Sequence, residues 1–585
     1  MHSSHASPTH DYPRPQFVRD RWASLDGTWR FGTTDTRDPE RVDFDREIVV
    51  PFAPEAPLSG LGDERYHRVV WYQRTFDVPD DWRAQRLLLH FGAVDWSATV
   101  WLNGRLVARH EGGHTPFSAD VSDVLVEGPQ TIVVRAEDDP HDMRLPRGKQ
   151  DWLPETHGIW YPRTTGIWQS VWLEPVASEH IASVRFTPDV PSFGIRVEVA
   201  AAVAQRGVVA IEVRHGDRVL AQDRWGIDGE RVDRTVALSD PGIDNARAQL
   251  LWSPEHPNLL SVTLHLEVDG VVVDTVQSYT ALRSVQARDG FFQLNGRPYP
   301  LRLVLDQGYW TDGLMTAPSG EALRRDVELA KAMGFNGVRK HQKIEDPRYL
   351  YWADTLGLLV WEELPSAYAF GPDTVARLTR TWLEVIERDY NHPSIVTWVA
   401  FNESWGVPDL PNDARQRHAV AALYHLAKSL DATRLVVGND GWEHVVTDLI
   451  TLHDYSRDPD TLAERYGSDD AARDTALRVI EHGRVGMLDP DEDRGQPVLL
   501  SEFGGIRYHP DAVGWGYQQV DDPDDLLAIY AAMIAALPPS GVAGFCYTQF
   551  ADTFQEQNGL LFDDRRPKVP LEALRGATRE GSVIG

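Results

Sequence analysis

From about residue 285 onward, short apolar runs alternate with amphipathic helical stretches, and this alternation constrains the fold more than any other feature of the chain. Eight strand-length runs can be placed: Pro300–Asp306, Gly337–His341, Leu358–Glu362, Val396–Glu403, Leu435–Asn439, Leu449–His453, Pro497–Glu502 and Val542–Tyr547. Helical stretches such as Glu321–Met333 and Val375–Tyr390 lie between them. Eight repeats over roughly 300 residues predict a (β/α)8 TIM barrel, in which chemistry sits at the C-terminal ends of the strands. Three of those ends carry a glutamate: Glu362 closes the third run, Glu403 the fourth, and Glu502, 99 residues after Glu403, the seventh.

The preceding chain has a different character. Residues 1–178 and 179–284 are dense in short alternating strands punctuated by Gly, Pro and Asp. Leu87–Phe91 and Ala98–Leu102 are examples, the second followed by an Asn103-Gly104 turn, and Val208–Val213 continues the pattern. Such spacing predicts two antiparallel β-sandwiches ahead of the barrel. A chain of 585 residues is too long for one core, and roughly three or four domains suit that length.

Composition removes several classes of function. The formal charge of −30 disfavours a nucleic-acid or anionic-membrane partner and mildly disfavours a strongly anionic substrate. The single cysteine, Cys546, permits no intrachain disulfide and no thiolate metal cluster. No apolar run approaches the ~20 residues needed to cross a bilayer. The N-terminal residues lack a basic segment followed by an apolar one, so the expectation is a cytoplasmic protein.

Paired carboxylates at strand tips are what glycoside hydrolysis requires, one to protonate the departing oxygen and one to attack the sugar carbon. The segment Asn391–Gly406, with Asn402-Glu403 after Ile395–Phe401, and Ser501-Glu502-Phe503-Gly504-Gly505 together resemble the acid/base and nucleophile motifs of glycoside hydrolase family 2. Ser24–Trp29 and Gly166–Leu173 look like the opening and closing strands of that family's jelly-roll, sugar-binding domain. Leu251–Leu259 resembles the end of its immunoglobulin-like module, so the likeness runs from residue 15 to about 570.

The resemblance implies Glu403 as general acid/base and Glu502 as nucleophile of a retaining exo-glycosidase, and the expected cytoplasmic location would give it imported small saccharides or glycosides. The acid carboxyl is expected to have a raised pKa from its neighbouring carboxylate. Asn402 is expected to hold the hydroxyl beside the anomeric carbon, and Tyr455 to orient Glu502. Substrate-binding candidates at the other strand tips are Asp306, Arg339, His341, Glu363 with Trp361, Trp442 and Tyr547, the last as a platform for the sugar ring. The family's glucuronidases carry an Asn-x-Lys pair before a glycine of the eighth loop; here Glu556-Gln557-Asn558 stands in its place. A carboxylate there would repel a uronate, which makes a β-galactoside the default. A furanosidase acting on β-galactofuranosides or α-L-arabinofuranosides, a β-glucuronidase, and a non-catalytic glycan-binding protein remain as alternatives. No cofactor and no metal are expected, and the dimers and tetramers common among relatives leave a homo-oligomer open. The 20 tryptophans suit a carbohydrate-active chain, because indole faces stack on sugar C–H surfaces. His110-Glu111-Gly112-Gly113-His114 fits a zinc-protease expression, but its two glycines and flanking strands predict a loop rather than the helix that motif needs.

Overall fold

The computed structural model describes residues 12–202, 206–239, 248–478, 483–510 and 514–580. Its first unit is a sandwich of a four-stranded and a six-stranded antiparallel sheet. Ala23–Ser24 pairs with Val171–Val176, so the opening and closing strands lie side by side. Ser97–Leu102 alternates between buried and half-buried positions, as one face of a sandwich requires, and both residues of its Asn103-Gly104 turn have positive φ. His110 lies next to the end of the strand Arg105–Glu111, and His114 lies beyond it in a loop. Burial holds the His114 imidazole down to about 3, and its ring packs edge-on against Trp168.

The second sandwich joins a three-stranded sheet to a four-stranded one around a core that includes Val197, Val213, Leu264 and Val276. It docks on the third unit through Trp252, whose Nε1 donates to the carbonyl of Asp354 at 2.8 Å.

The third unit is a sheet of eight parallel strands: β1 Leu301–Asp306, β2 Gly337–Lys340, β3 Leu359–Glu363, β4 Ile395–Val399, β5 Leu435–Val437, β6 Ile450–His453, β7 Val498–Gly504 and β8 Gly544–Thr548. The ladder runs β5-β4-β3-β2-β1-β8-β7-β6, which makes a barrel closed everywhere except between β5 and β6. All eight predicted runs are therefore strands of the barrel. Helices follow the strands, each started by its own signal. Ser319 caps Gly320–Ala332 by accepting from the amide of Ala322, and Gly357 ends Pro347–Leu356 in the left-handed region.

Side-chain parity decides what each strand shows the barrel interior. Leu301, Leu303 and Leu305 of β1, Leu359 and Trp361 of β3, Leu499 of β7 and Cys546 of β8 fill the interior beneath the mouth. Val304, Val338, Val360, Leu500 and Tyr547 face the helices instead. Two sequence expectations fail on this parity. Asp306 shares the outward register of Val304; its carboxylate accepts from Lys340 Nζ at 2.7 Å and from the Gly308 amide at 2.8 Å, so it serves an internal ion pair. Tyr547 packs between barrel and helices against Phe503 and Tyr530, and its hydroxyl accepts from the Ile506 amide. It is no sugar platform; the inward neighbour on β8 is Thr548.

Candidate active site

Glu403 and Glu502 converge at the C-terminal mouth. Glu403 follows β4 in a left-handed turn, with φ of 52° at Glu403 and 60° at Ser404. Such angles are unfavourable for residues with side chains and persist only where neighbours enforce them. Here the tip of β5 does so. The Glu403 amide donates to the carbonyl of Asp440 at 2.9 Å, the Ser404 amide to Asn439 Oδ1 at 3.0 Å, and Ser404 Oγ to Glu443 Oε2 at 2.6 Å. Glu502 is aimed by a different device. The pairing of β7 slips against β8 between Leu500 and Phe503, and against β6 between Leu452 and His453. This bulge turns Glu502 into the mouth while Phe503 still faces the helices.

Arg339 at the tip of β2 is the charge centre. It is fully buried and donates to Glu502 Oε1 at 3.0 Å, to Glu363 Oε2 at 2.8 Å and to Asn402 Oδ1 at 2.7 Å, and it pairs with Asp440 at 2.7 Å. Arg339 holds the Asn402 oxygen, and among the described residues the Asn402 NH2 group makes no hydrogen bond. Tyr455 donates its hydroxyl to Glu502 Oε2 at 2.7 Å, the same hydroxyl oxygen lies 3.2 Å from Thr548 Oγ1, and the ring stacks on Tyr517 with centroids 3.5 Å apart. Burial, reinforced by the Glu502 charge, holds the phenol well above its ordinary range, so it stays protonated and donates. Both oxygens of Glu502 are thereby fixed by donors.

His453, at the end of β6, reorganises the expected acid. Its Nδ1 lies 2.8 Å from Glu403 Oε1, its Nε2 lies 2.7 Å from Asp440 Oδ2, and Glu502 Oε1 is 3.4 Å away. Burial pushes the imidazole down, but the charge of Glu502 and the two hydrogen-bonded carboxylates outweigh it and raise the ring to about 10. Burial pushes Glu403 up, yet the bond to His453 and its charge pull the carboxyl down to about 2. The expectation of a raised Glu403 is therefore corrected. Arg339 neutralises the neighbouring carboxylate, and His453 holds the proton 2.8 Å from the Glu403 carboxylate. Burial lifts Glu363 to about 7 against the pull of Arg339. His341 lies 3.3 Å from Glu363; burial and the Arg339 charge hold it well below its usual value, so it is neutral. Trp442 packs edge-on against His453 with ring centroids 5.5 Å apart.

Glu403, His453 and Glu502 each offer a ligand atom, all within 4.8 Å of one another. A cation seated there would occupy an oxygen of both carboxylates. Protonated His453 and Arg339 already supply positive charge at that spot.

The first sandwich completes the mouth with its segment 147–161. Trp160 meets Trp405 edge-on with centroids 5.6 Å apart, and Trp405 Nε1 donates to Glu403 Oε2 at 3.3 Å. Trp152 and Tyr368 extend this half-buried aromatic wall. Glu556, in the loop after β8, accepts from Tyr161 Oη at 2.5 Å and from Asn558 Nδ2 at 3.1 Å. Burial raises its carboxyl, opposed chiefly by the charge of Lys149.

Of the candidates read from sequence, Arg339, His341, Asn402, Glu403, Tyr455 and Glu502 are brought together, with Trp442 and Glu556 at the edges; Asp306 and Tyr547 are not. His453, Asp440, Thr548, Tyr517 and Lys149 escaped sequence reasoning. His453 had a signal, since it closes the sixth run two residues before Tyr455. Lys149 had none, because it lies in another domain.

Two β-sandwiches ahead of a parallel barrel, with a carboxylate pair at the barrel mouth, define the glycoside hydrolase class of architecture. Family models agree: residues 58–173 match the glycosyl hydrolases family 2 sugar binding domain, 179–283 glycosyl hydrolases family 2, and 285–505 the glycosyl hydrolases family 2 TIM barrel domain. The chain belongs to glycosyl hydrolases family 2. It is 27% identical over 499 residues to a β-galactosidase of Thermoanaerobacter pseudethanolicus, covering 81% of this chain and 65% of that protein. It is 30% identical over 379 residues to a putative β-glucuronidase of Formosa agariphila, covering 62% and 44% respectively. The chain thus spans between about half and two thirds of the length of these relatives. The fold is that of Bifidobacterium dentium β-glucuronidase complexed with coumarin-3-O-glucuronide, at a TM-score of 0.77 and 22% identity over 97% of this chain and 98% of that one. Among the described residues, no helix is long and apolar enough to cross a membrane.

Proposed function

We propose that this protein is a retaining exo-β-glycosidase for neutral sugars, with a β-galactoside as the simplest substrate. One observation carries the reading: an oxygen of Glu403 and an oxygen of Glu502 lie within 4.8 Å of each other. That spacing suits direct attack by one carboxylate and leaves no room for the water that an inverting enzyme places between the two.

Glu502, fixed by Arg339 and Tyr455, attacks the anomeric carbon. Glu403 relays to the leaving oxygen the proton that His453 holds at Nδ1, 2.8 Å away. Once Glu502 is a neutral ester, Glu403 draws a proton from water, and the resulting hydroxide equivalent cleaves the ester with net retention. The Asn402 amide, held by Arg339, donates to the adjacent sugar hydroxyl as positive charge develops on the ring. The aromatic wall beside Glu403 lies on the side where the leaving group departs, which suits a flat aglycone or a sugar face.

A second reading, a β-uronidase, is favoured by the ammonium of Lys149 and opposed by the carboxylate of Glu556 beside it. The test is release of p-nitrophenol from its β-galactopyranoside, β-mannoside, β-glucuronide, β-galactofuranoside and α-arabinofuranoside. Turnover of the galactoside with the β-anomer as first product is expected; turnover of the glucuronide alone would reject the neutral-sugar reading.

The Tyr455 contact yields a further prediction. Tyr455→Phe removes one donor from Glu502 and leaves the Tyr517 stack intact, so kcat is expected to fall roughly 100-fold, the scale for one donor of a preorganised site. Steady-state kinetics on an activated aryl glycoside would show it, and a change confined to KM would contradict the assigned role.

A further inference from the structure

Lys149 reaches the barrel mouth from the first sandwich, on a segment clamped at both ends. The amides of Arg147 and Gly148 donate to the carbonyl of Ser366, beyond β3, at 3.1 and 3.0 Å. Tyr368 Oη donates to the carbonyl of Gly148 at 2.6 Å. Gly148 has φ of 63°, and a Cβ there would fall 2.2 Å from the carbonyl oxygen of Gln342, beyond β2, so only glycine lets the strand of chain lie this close. The Tyr161 amide returns to the carbonyl of Lys149 at 2.8 Å. On the far side, Gln555 Nε2 donates to the carbonyls of Gly158 and Trp160 at 3.0 and 2.7 Å.

This anchoring presents a side chain that is only 5% exposed. Among the described residues, its ammonium makes no hydrogen bond and has no carboxylate oxygen within 4 Å. Its Nζ is not among the fully buried unpartnered atoms, so the stem is covered while the ammonium keeps an open side from which an acceptor on a ligand can reach it. The position of Nζ is bounded by its neighbours. It lies 6.0 Å from the centroid of Tyr161, whose hydroxyl is bonded to Glu556, and its charge acts on Glu556, Glu403 and His341. Lys149 and Glu556 thus flank one side of the space above the catalytic carboxylates, a donor and an acceptor from two domains.

We propose that Lys149 and Glu556 together read the hydroxyl groups of the sugar at the cleavage site, the ammonium donating and the carboxylate accepting. The inference rests on the neutral-sugar reading above and makes the first sandwich part of the active site. A donor–acceptor couple suits a hydroxyl, which does both, whereas a uronate would meet Lys149 favourably and Glu556 unfavourably.

The test uses the full chain, the neutral p-nitrophenyl glycoside with the highest wild-type kcat/KM, and its monodeoxy analogues. Lys149→Met is expected to lower kcat/KM on the parent roughly 10- to 100-fold, the range for a hydrogen bond to a charged donor. On the analogue lacking the read hydroxyl, the loss should shrink to within about threefold, since the deleted partners no longer meet. Glu556→Gln should show the same selective relief on the same or the adjacent deoxy position. Equal losses across the whole series, or wild-type rates in Lys149→Met, would overturn the inference while leaving the neutral-sugar reading intact. Wild-type turnover of uronides only, or of no glycoside, would overturn both.

Discussion

Glu502→Ala is expected to lower kcat at least ~10,000-fold on every glycoside the wild type accepts, the scale on which removal of an attacking group acts. The reasoning is geometric. Glu502 has its two oxygens held by Arg339 and Tyr455 and is aimed into the mouth by the β7 bulge. Glu403→Ala should behave differently, because its service is a proton. Its loss should be ~100- to 10,000-fold on poor leaving groups and much smaller on nitrophenols, which depart without protonation. Azide separates the two roles. In Glu403→Ala it attacks the glycosyl ester without needing a base and should give the β-glycosyl azide. In Glu502→Ala it replaces the nucleophile and should give the α-product. A β-azide from Glu502→Ala, detected by NMR, would exchange the assignment of the two carboxylates.

The barrel was legible because parallel strands buried on both faces read as short apolar runs, and eight such runs separated by helical stretches admit few other folds. Glu403 and Glu502 were legible because each breaks its run at the C-terminal end. What such runs hide is parity. Asp306 and Tyr547 occupy strand tips as plausibly as Arg339 does, but both strand faces are apolar, so nothing local says which side chain points inward. Asp306 turns out to serve Lys340, and Tyr547 the helix layer. The bulge at Glu502 lies deeper still, since a one-residue slip in pairing leaves no compositional trace. The acid's environment was misjudged for another reason. Reasoning from two neighbouring carboxylates alone predicts a raised Glu403, whereas His453 and Arg339 reverse the balance, and their meeting with it is a property of three strands at once. Lys149 shows the limit most plainly: its contribution exists only after one domain has docked on another.

Arg339→Met is the substitution expected to damage structure and function together. One guanidinium compensates Glu363, Asp440 and Glu502 and holds Asn402, all inside the barrel mouth. Methionine is close in volume, so packing survives while the charge does not. Removing one partner of a buried ion pair costs about 3–5 kcal/mol, because the remaining charges stay buried and uncompensated. Part of that cost can be relieved by protonation, and Glu363, already lifted to about 7, is the carboxyl closest to accepting a proton. The residual stability should therefore depend on pH in a way the wild type does not match. Glu363 has a raised folded value, so its carboxyl opposes folding increasingly as pH rises through and above its unfolded range; deleting its counter-ion enlarges that effect, and the variant should lose most stability on the alkaline side. Activity should fall at least about 100-fold, since both Glu502 and Asn402 lose the donor that orients them. Arg339→Lys isolates charge from geometry. A single ammonium keeps the positive charge but cannot span acceptors on β3, β4, the β5 tip and β7 at once, so stability should recover further than kcat. Urea unfolding followed by tryptophan fluorescence at several pH values, beside kcat/KM for both variants, would decide the matter. If Arg339→Met unfolded at the wild-type urea midpoint and kept the wild-type rate, the guanidinium could not be the group that holds this site together.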